Sequence, residues 1–149
     1  RIDRNGAWFY RGSPIGRAAL VKLFSSVLRK DADGAHWLTT PVENGRIDVE
    51  DAAFVAVEMA AEGAGRDQVI RFRTNVDDMV TLDGDHALRI AESEDGEPRP
   101  YIHVRKGLEA RIVRAVFYHL IERGEPDPQA PGRFGVWSAG RFFALGPLA

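Results

Sequence analysis

Only two stretches of this chain carry apolar residues at helical spacing over several turns; glycine and proline cut the rest into short pieces. The first stretch holds Leu20, Leu23, Phe24, Val27 and Leu28, with Lys22, Ser25, Ser26 and Arg29 on the other side. Ser13 is its expected N-cap, and Pro14 its first helical residue, where no amide donor is needed. Arg29 and Lys30 fall at its expected C-terminal end, where the helix dipole favours cations. The second helix is expected over residues 108–123, with Leu108, Ile112, Val116 and Leu120 flanked by Val113, Phe117 and Ile121. Gly124 suits the position just past its end.

The pieces between read as strands: residues 7–10, 35–40, 46–49, 54–59, 69–74, 87–91 and 101–105. Residues 134–137 and 142–145 flank Ser138-Ala139-Gly140 as a hairpin. Asp33-Gly34, residues 62–67 and residues 75–78 read as turns, and Asp83-Gly84 as a hairpin turn. The expected fold class is α+β. The order of elements suggests a duplication: strand, glycine, helix, turn and strand, followed later by strand, glycine, helix, loop and hairpin. Gly12 then matches Gly107, and Leu20, Phe24 and Leu28 match Val113, Phe117 and Ile121, with a two-residue gap between the pairings. The two halves are expected at residues 1–63 and 64–149.

Composition narrows the partners. The chain has 149 residues and a formal net charge of −2, so it has no overall basic field to recruit nucleic acid or an acidic membrane. It contains no cysteine, which excludes disulfides and thiol chemistry and is compatible with the cytoplasm. No apolar run approaches the roughly 20 residues of a membrane helix, since Glu58 interrupts the longest candidate. The start at Arg1 rather than methionine leaves a longer parent chain open.

Several strings are specific. WFYRGSPIGRAALVKLFSSVLRK, TPVE, VEDAAFVAVE, TNVDD, PYIHVRKGLEARIVRAVFYHL and GVWSAGRFFALG together span nearly the whole sequence. They resemble the bacterial domain of unknown function family 1285. Ala87 after His86 departs from the resemblance, where a proline is expected. The resemblance implies two related α+β halves, the second pleckstrin-homology-like, with a small antiparallel barrel capped by its helix. It implies no assigned activity. It also implies a nucleotide-like ligand in a cleft between the halves and a role in signalling.

The candidate chemistry starts at RGSPIGR. A helix opening at Ser13 would offer free amide hydrogens to an anion. Arg17 so close to the positive end, and Gly16 in the first turn, are both locally unfavourable choices that an anion would explain. Gly12 would let that ligand approach the backbone. The competing reading has Gly16 admitting a neighbouring strand and Arg17 facing water. Lys106, Gly107, Arg111 and Arg114 repeat the pattern at the second helix. Arg17, Arg105 and Arg111 would converge on one anion if the two helix starts flank a cleft, and arginine suits phosphate. The competing reading is a solvated or ion-paired face. Asn75 and Asp77 either cap turns or hydrogen-bond a sugar or base.

Asp77, Asp78, Asp83, Asp85 and His86 are dense in oxygen ligands, but they lack the spacing of a calcium loop. His36 and His103 fall in expected strands and His119 in the second helix, with no i, i+4 pair. Trp137, Phe142 and Phe143 either stack on a base or fill a small core. No dinucleotide or triphosphate glycine motif is present, and no serine sits in a nucleophile elbow. The expected function is therefore a non-enzymatic sensor or adaptor that binds a small anionic, nucleotide-like ligand without cofactor or metal. Its expected ligand residues are Gly12, Ser13, Arg17, Asn75, Asp77, Arg105 and Arg111. The rival readings are a metal-dependent phosphoesterase built on the carboxylates of residues 77–86 and a module that binds only protein partners.

Overall fold

The computed structural model describes residues 1–40 and 44–147. The fold is α+β: mostly sheet, with two helices and a main sheet curled into a half-barrel. Three two-residue hairpins set much of its geometry. β1 (Phe9–Tyr10) turns into β2 (Ser13–Pro14) through Arg11-Gly12, with Tyr10 opposite Ser13. β10 (Pro98–Arg105) turns into β11 (Leu108–Ile112) through Lys106-Gly107. β13 (Arg133–Ser138) turns into β14 (Arg141–Pro147) through Ala139-Gly140. In each pair both turn residues have positive φ, as in Lys106 at 46° and Gly107 at 80°. This is the mirror-image turn whose twist matches paired strands. Its second position suits glycine, and its first strains any side chain other than Asn or Asp.

These turns overturn two expectations. Ser13 is not an N-cap and Pro14 is not helical; both pair in the β1–β2 ribbon, where proline's missing donor costs nothing on an edge. The first helix, α1, is Ala18–Ser26, with Arg17 as its N-cap and no side-chain cap. Arg29 and Lys30 belong not to the helix end but to the strand β3 (Leu28–Lys30). The second helix is also shorter than expected: α2 is Arg114–Glu122, and residues 108–112 form β11. Leu108, Ala110 and Ile112 alternate with Glu109 and Arg111, and the former are buried. Leu108 and Ile112 satisfy helical and strand spacing alike, and the preceding turn selects the strand.

The main sheet has six strands in the order β8-β7-β6-β11-β10-β9. β6 is Phe54–Glu62, β7 Val69–Thr74, β8 Met79–Thr81 and β9 Leu88–Glu92. All neighbours are antiparallel except β6 and β11, which run parallel. β8 is absent from the expected strands; with one buried residue, Val80, it is too short to show a period. Two smaller sheets complete the fold: β3-β4-β5, where β4 is His36–Thr39 and β5 Asn44–Ile47, and β12-β13-β14, where β12 is Glu125–Pro126.

The core lies on the inner face of the main sheet. Ile70 and Phe72 of β7 point into it, while Val69, Arg71 and Arg73 point out. Phe54, Ile102, Leu108 and Ile112 join them, and α2 adds Val116, Phe117 and Leu120. Gly124, just past α2, takes no left-handed conformation. It is small because a Cβ there would lie 2.9 Å from the Gly135 carbonyl oxygen. α1 is held more loosely: Ser25 is its one buried residue, and Phe24 stacks on Trp8 with ring centres 6.2 Å apart. No helix among the described residues is long and apolar enough to cross a membrane.

Candidate functional site

The expected ligand residues are not all brought to one cleft, since Arg105 and Arg111 line different ones. Gly12 and Ser13 sit at the exposed tip of the β1–β2 ribbon. A Cβ at Gly12 or at Gly16 would meet nothing within 4 Å, so neither glycine admits a neighbouring strand. Arg17 is exposed at the start of α1.

Asn75 and Asp77 hold structure together. The TNVDD bend closes on itself: Thr74, fully buried, accepts at Oγ1 from the amides of Val76 (3.3 Å) and Asp78 (3.2 Å). Asn75 accepts the Val55 amide at Oδ1 (3.0 Å) and donates from Nδ2 to the Gly6 carbonyl (3.1 Å). It thereby ties the N-terminal segment to β6. Asp77 receives Lys22 of α1 at 2.5 Å and Arg73 at 2.9 Å. The Lys22 ammonium, and then Arg73, hold its carboxyl below the usual aspartate range. Asp83 accepts from the amides of Asp85 and His86 and pairs with the His86 ring, each at 2.9 Å. Among the described residues no three of His, Asp or Glu are grouped to hold a metal ion; within residues 77–86 the Asp77 carboxylate makes ion pairs and the Asp83 carboxylate closes a turn.

Arg105 and Arg111 each line a cleft, but not the same one. Arg111 bonds the Arg4 carbonyl at 2.9 Å and faces Asp51 at 3.4 Å, while Tyr101 donates to the same carboxylate at 2.6 Å. Its cleft, about 660 Å³, is charge-balanced: Arg4, Arg99, Arg111 and Arg114 line it with Glu50, Asp51, Asp95 and Glu97. Arg114 pairs directly with Glu97 at 2.9 Å.

The second cleft, about 620 Å³, is not balanced. α1 and its C-cap contribute Lys22, Ser25, Ser26 and Val27; β3 adds Leu28 and Arg29, and β4 Thr39; the sheet side adds Val76, Asp78, Arg105 and Lys106. Four cations thus line the cleft with one carboxylate, and Lys22 among them is paired with Asp77 beside it. Arg105 crosses the seam, donating to the Ser25 carbonyl at 2.7 Å and the Leu28 carbonyl at 3.4 Å. It therefore ties the C-terminal end of α1 and the start of β3 to the main sheet. Arg29 is fixed by a bond from Nε to Thr39 Oγ1 at 2.8 Å. The turn under Lys106 is braced by His103. That ring bonds the Asp85 carbonyl through Nδ1 at 3.0 Å and accepts the Gly107 amide at Nε2, also at 3.0 Å. Of the cleft's cations, the sequence singled out Arg105. It also placed Lys106 beside a glycine, but Lys22 and Arg29 are distant in sequence from both.

The β3–β4 hairpin that carries Arg29 depends on pH in a defined direction. Asp31 accepts the Trp37 indole N–H at 2.8 Å and the Ala35 and Asp33 amides, and these bonds hold its carboxyl below the usual range against burial. Burial, and then Lys30, lowers His36, with Asp31 opposing. For both groups the folded value lies below the unfolded one, so their stabilisation is complete above the ordinary pKa. It is lost as pH falls through the lowered value. Urea midpoints should therefore fall as pH drops below about 6.5 and fall further in the carboxylate range. Asp31→Asn should flatten the acid limb; an unchanged limb would remove Asp31 as its source.

Two family models match end to end: "Domain of unknown function (DUF1285), N-terminal domain" over residues 1–52 and "Protein of unknown function (DUF1285), C-terminal domain" over residues 53–145. The chain belongs to the DUF1285 family. It is similar to the crystal structure of a DUF1285 family protein from Silicibacter pomeroyi DSS-3. There the TM-score is 0.92 and the identity 47%, over 99% of this chain and 79% of that one. A second DUF1285 protein, from Shewanella baltica OS155, has a TM-score of 0.62 and 27% identity over 82% of this chain and 89% of that one. No curated protein matches the chain. The DUF1285 models meet beside β6, so Lys22, Arg29 and Thr39 lie in the N-terminal domain and Val76, Arg105 and Lys106 in the C-terminal one. Of the TPVE string, residues 41–43 lie outside the described residues.

Proposed function

We propose that this DUF1285 protein is a non-enzymatic sensor that binds a small anionic ligand in the seam between its two domains. The observation that carries the reading is the charge of the seam cleft, where Arg29, Arg105 and Lys106 face Asp78 and the fourth cation, Lys22, is held by Asp77. Cations held in a concave site attract an anion more strongly than the same charges spread over a surface. The two walls come from different domains, so a ligand touching both reports as a change in how they pack. Signalling through a partner is the natural output of such a change in packing. The recurring order of hairpin, helix and three-stranded sheet, in β1–β5 and again in β10–β14, supports a duplicated origin of the two walls.

The test is a thermal-shift screen of the full chain at low salt against inorganic phosphates, sugar phosphates and nucleotides. A ligand at about 100 times its Kd should stabilise by about 2.7 kcal/mol, several degrees for a chain of this length. Lys106→Asn separates site from scaffold. Asparagine tolerates the positive φ that strains Lys106, so the apo protein should gain about 0.5–1 kcal/mol. The ligand-induced shift should shrink. A variant that gains stability and keeps the full shift would remove Lys106 from the site, and a screen without any shift would overturn the sensor reading.

A further inference from the structure

The polar groups of the seam cleft are spent unevenly, and this bears on what it can recognise. Its hydroxyl protons are already committed: Ser25 donates to the Lys22 carbonyl at 2.8 Å, Ser26 to the Leu23 carbonyl at 2.6 Å and Thr39 to Asn44 Oδ1 at 2.7 Å. Two aromatic rings lie close by, but arginines of the site occupy them. The Arg29 guanidinium lies 5.6 Å from the centre of Trp37, and that of Arg105 lies 5.7 Å from the centre of the buried Phe54. The apolar lining is Val27, Leu28 and Val76, none of them flat. A base entering here finds no open face to stack on, and a sugar finds no hydroxyl proton to accept.

The cations are in the opposite condition. Lys22 is spent on Asp77, but among the described residues no carboxylate lies within ion-pair distance of Arg29, Arg105 or Lys106, Asp31 acting on Arg29 only at longer range; Arg105 spends two N–H groups on backbone carbonyls, which orient it without neutralising it. Lys30 approaches the same turn, its Cδ 3.9 Å from where a Cβ on Gly107 would lie. Asp78 subtracts from this charge, so an anion with one phosphoryl group meets a field already partly offset. An anion with several phosphoryl groups reaches cations on both walls at once.

Building on the reading above, we infer that the seam cleft is a site for compounds with two or more phosphoryl groups, and that it reads their charge and not an attached base. Arg29 and Lys106 contact the anion from opposite walls, and Arg105, fixed by the end of α1, sits between the two domains.

The experiment is titration calorimetry of the full chain at low salt with orthophosphate, pyrophosphate, AMP, ADP, adenosine and citrate. Pyrophosphate should bind about tenfold or more tighter than orthophosphate. ADP should track pyrophosphate, AMP should track orthophosphate, and adenosine should give no heat. Arg29→Gln and Lys106→Gln should each weaken pyrophosphate by about tenfold, with the apo melting temperature nearly unchanged in Lys106→Gln and lowered in Arg29→Gln, which also loses the bond to Thr39 and the contact with Trp37. The affinity should fall steeply with added salt. Equal affinity for orthophosphate and pyrophosphate would overturn this inference and leave the anion sensor standing. So would citrate as tight as pyrophosphate, or a gain from adenosine. No binding by any anion would overturn both.

Discussion

Ser138→Ala should lower the stability of the folded chain by about 2–4 kcal/mol, with the midpoint of urea unfolding shifted and its slope unchanged. Ser138 is fully buried beside the β13–β14 turn. Its Oγ accepts the Ile70 amide at 2.9 Å and donates to the Leu82 carbonyl at 2.6 Å. Ile70 and Leu82 are themselves 0% exposed, so neither group has water to turn to. Alanine fits the space but strands a donor and an acceptor, and losing one partner from a buried pair costs more than the bond was worth. Ser138 also marks where the small hairpin docks on the main sheet, with the Ala139 amide reaching the Gln68 carbonyl at 3.2 Å. A loss below about 0.5 kcal/mol would mean that the two backbone groups find other partners, and the docking role would fall.

Asn75→Ala should cost about 2–3 kcal/mol and leave anion affinity unchanged. The carboxamide serves two backbone groups at once, the Val55 amide and the Gly6 carbonyl, and the Val55 residue is buried. Gly6 has φ +83°, and a Cβ on it would fall 2.7 Å from Asn75 Nδ2, so the two residues are matched in shape as well as in bonding. Asn75→Asp keeps the acceptor for Val55 but sets a carboxylate oxygen against the Gly6 carbonyl, so it should be no more stable than alanine. An Asn75→Ala variant of normal stability but weakened pyrophosphate binding would return the residue to the ligand site.

How far the sequence could be read depends on whether each signal is local. β7 was legible residue by residue because Ile70, Phe72 and Thr74 alternate with arginines over a full strand. The Ala139-Gly140 hairpin was legible from its glycine and its flanking aromatics. Residues 108–112 were not, since apolar residues four apart satisfy a helix and a strand alike, and the turn at Lys106-Gly107 decides between them. Gly-Ser-Pro is likewise both a helix start and the return of a tight hairpin, and the Arg11-Gly12 conformation settles which. The seam cleft was beyond local signals. Lys22 and Arg29 meet Arg105 and Lys106 only through the packing of α1 and β3 against the sheet, so a residue list drawn from motifs captured Arg105 and scattered the rest.

The parallel pairing of β6 with β11 has a consequence for the order in which the chain folds. β6, β7 and β8 form one antiparallel meander and β9, β10 and β11 another, and each is joined by short connections along the chain. The two meet only where Phe54, Val55 and Ala56 lie beside Ala110, Arg111 and Ile112, more than fifty residues further on. Each meander closes small loops, while their union closes a large one and recovers three residue pairs for it. The nascent chain therefore carries β6 with one unpaired edge until β11 has been synthesised. That edge is the segment most in need of protection during synthesis.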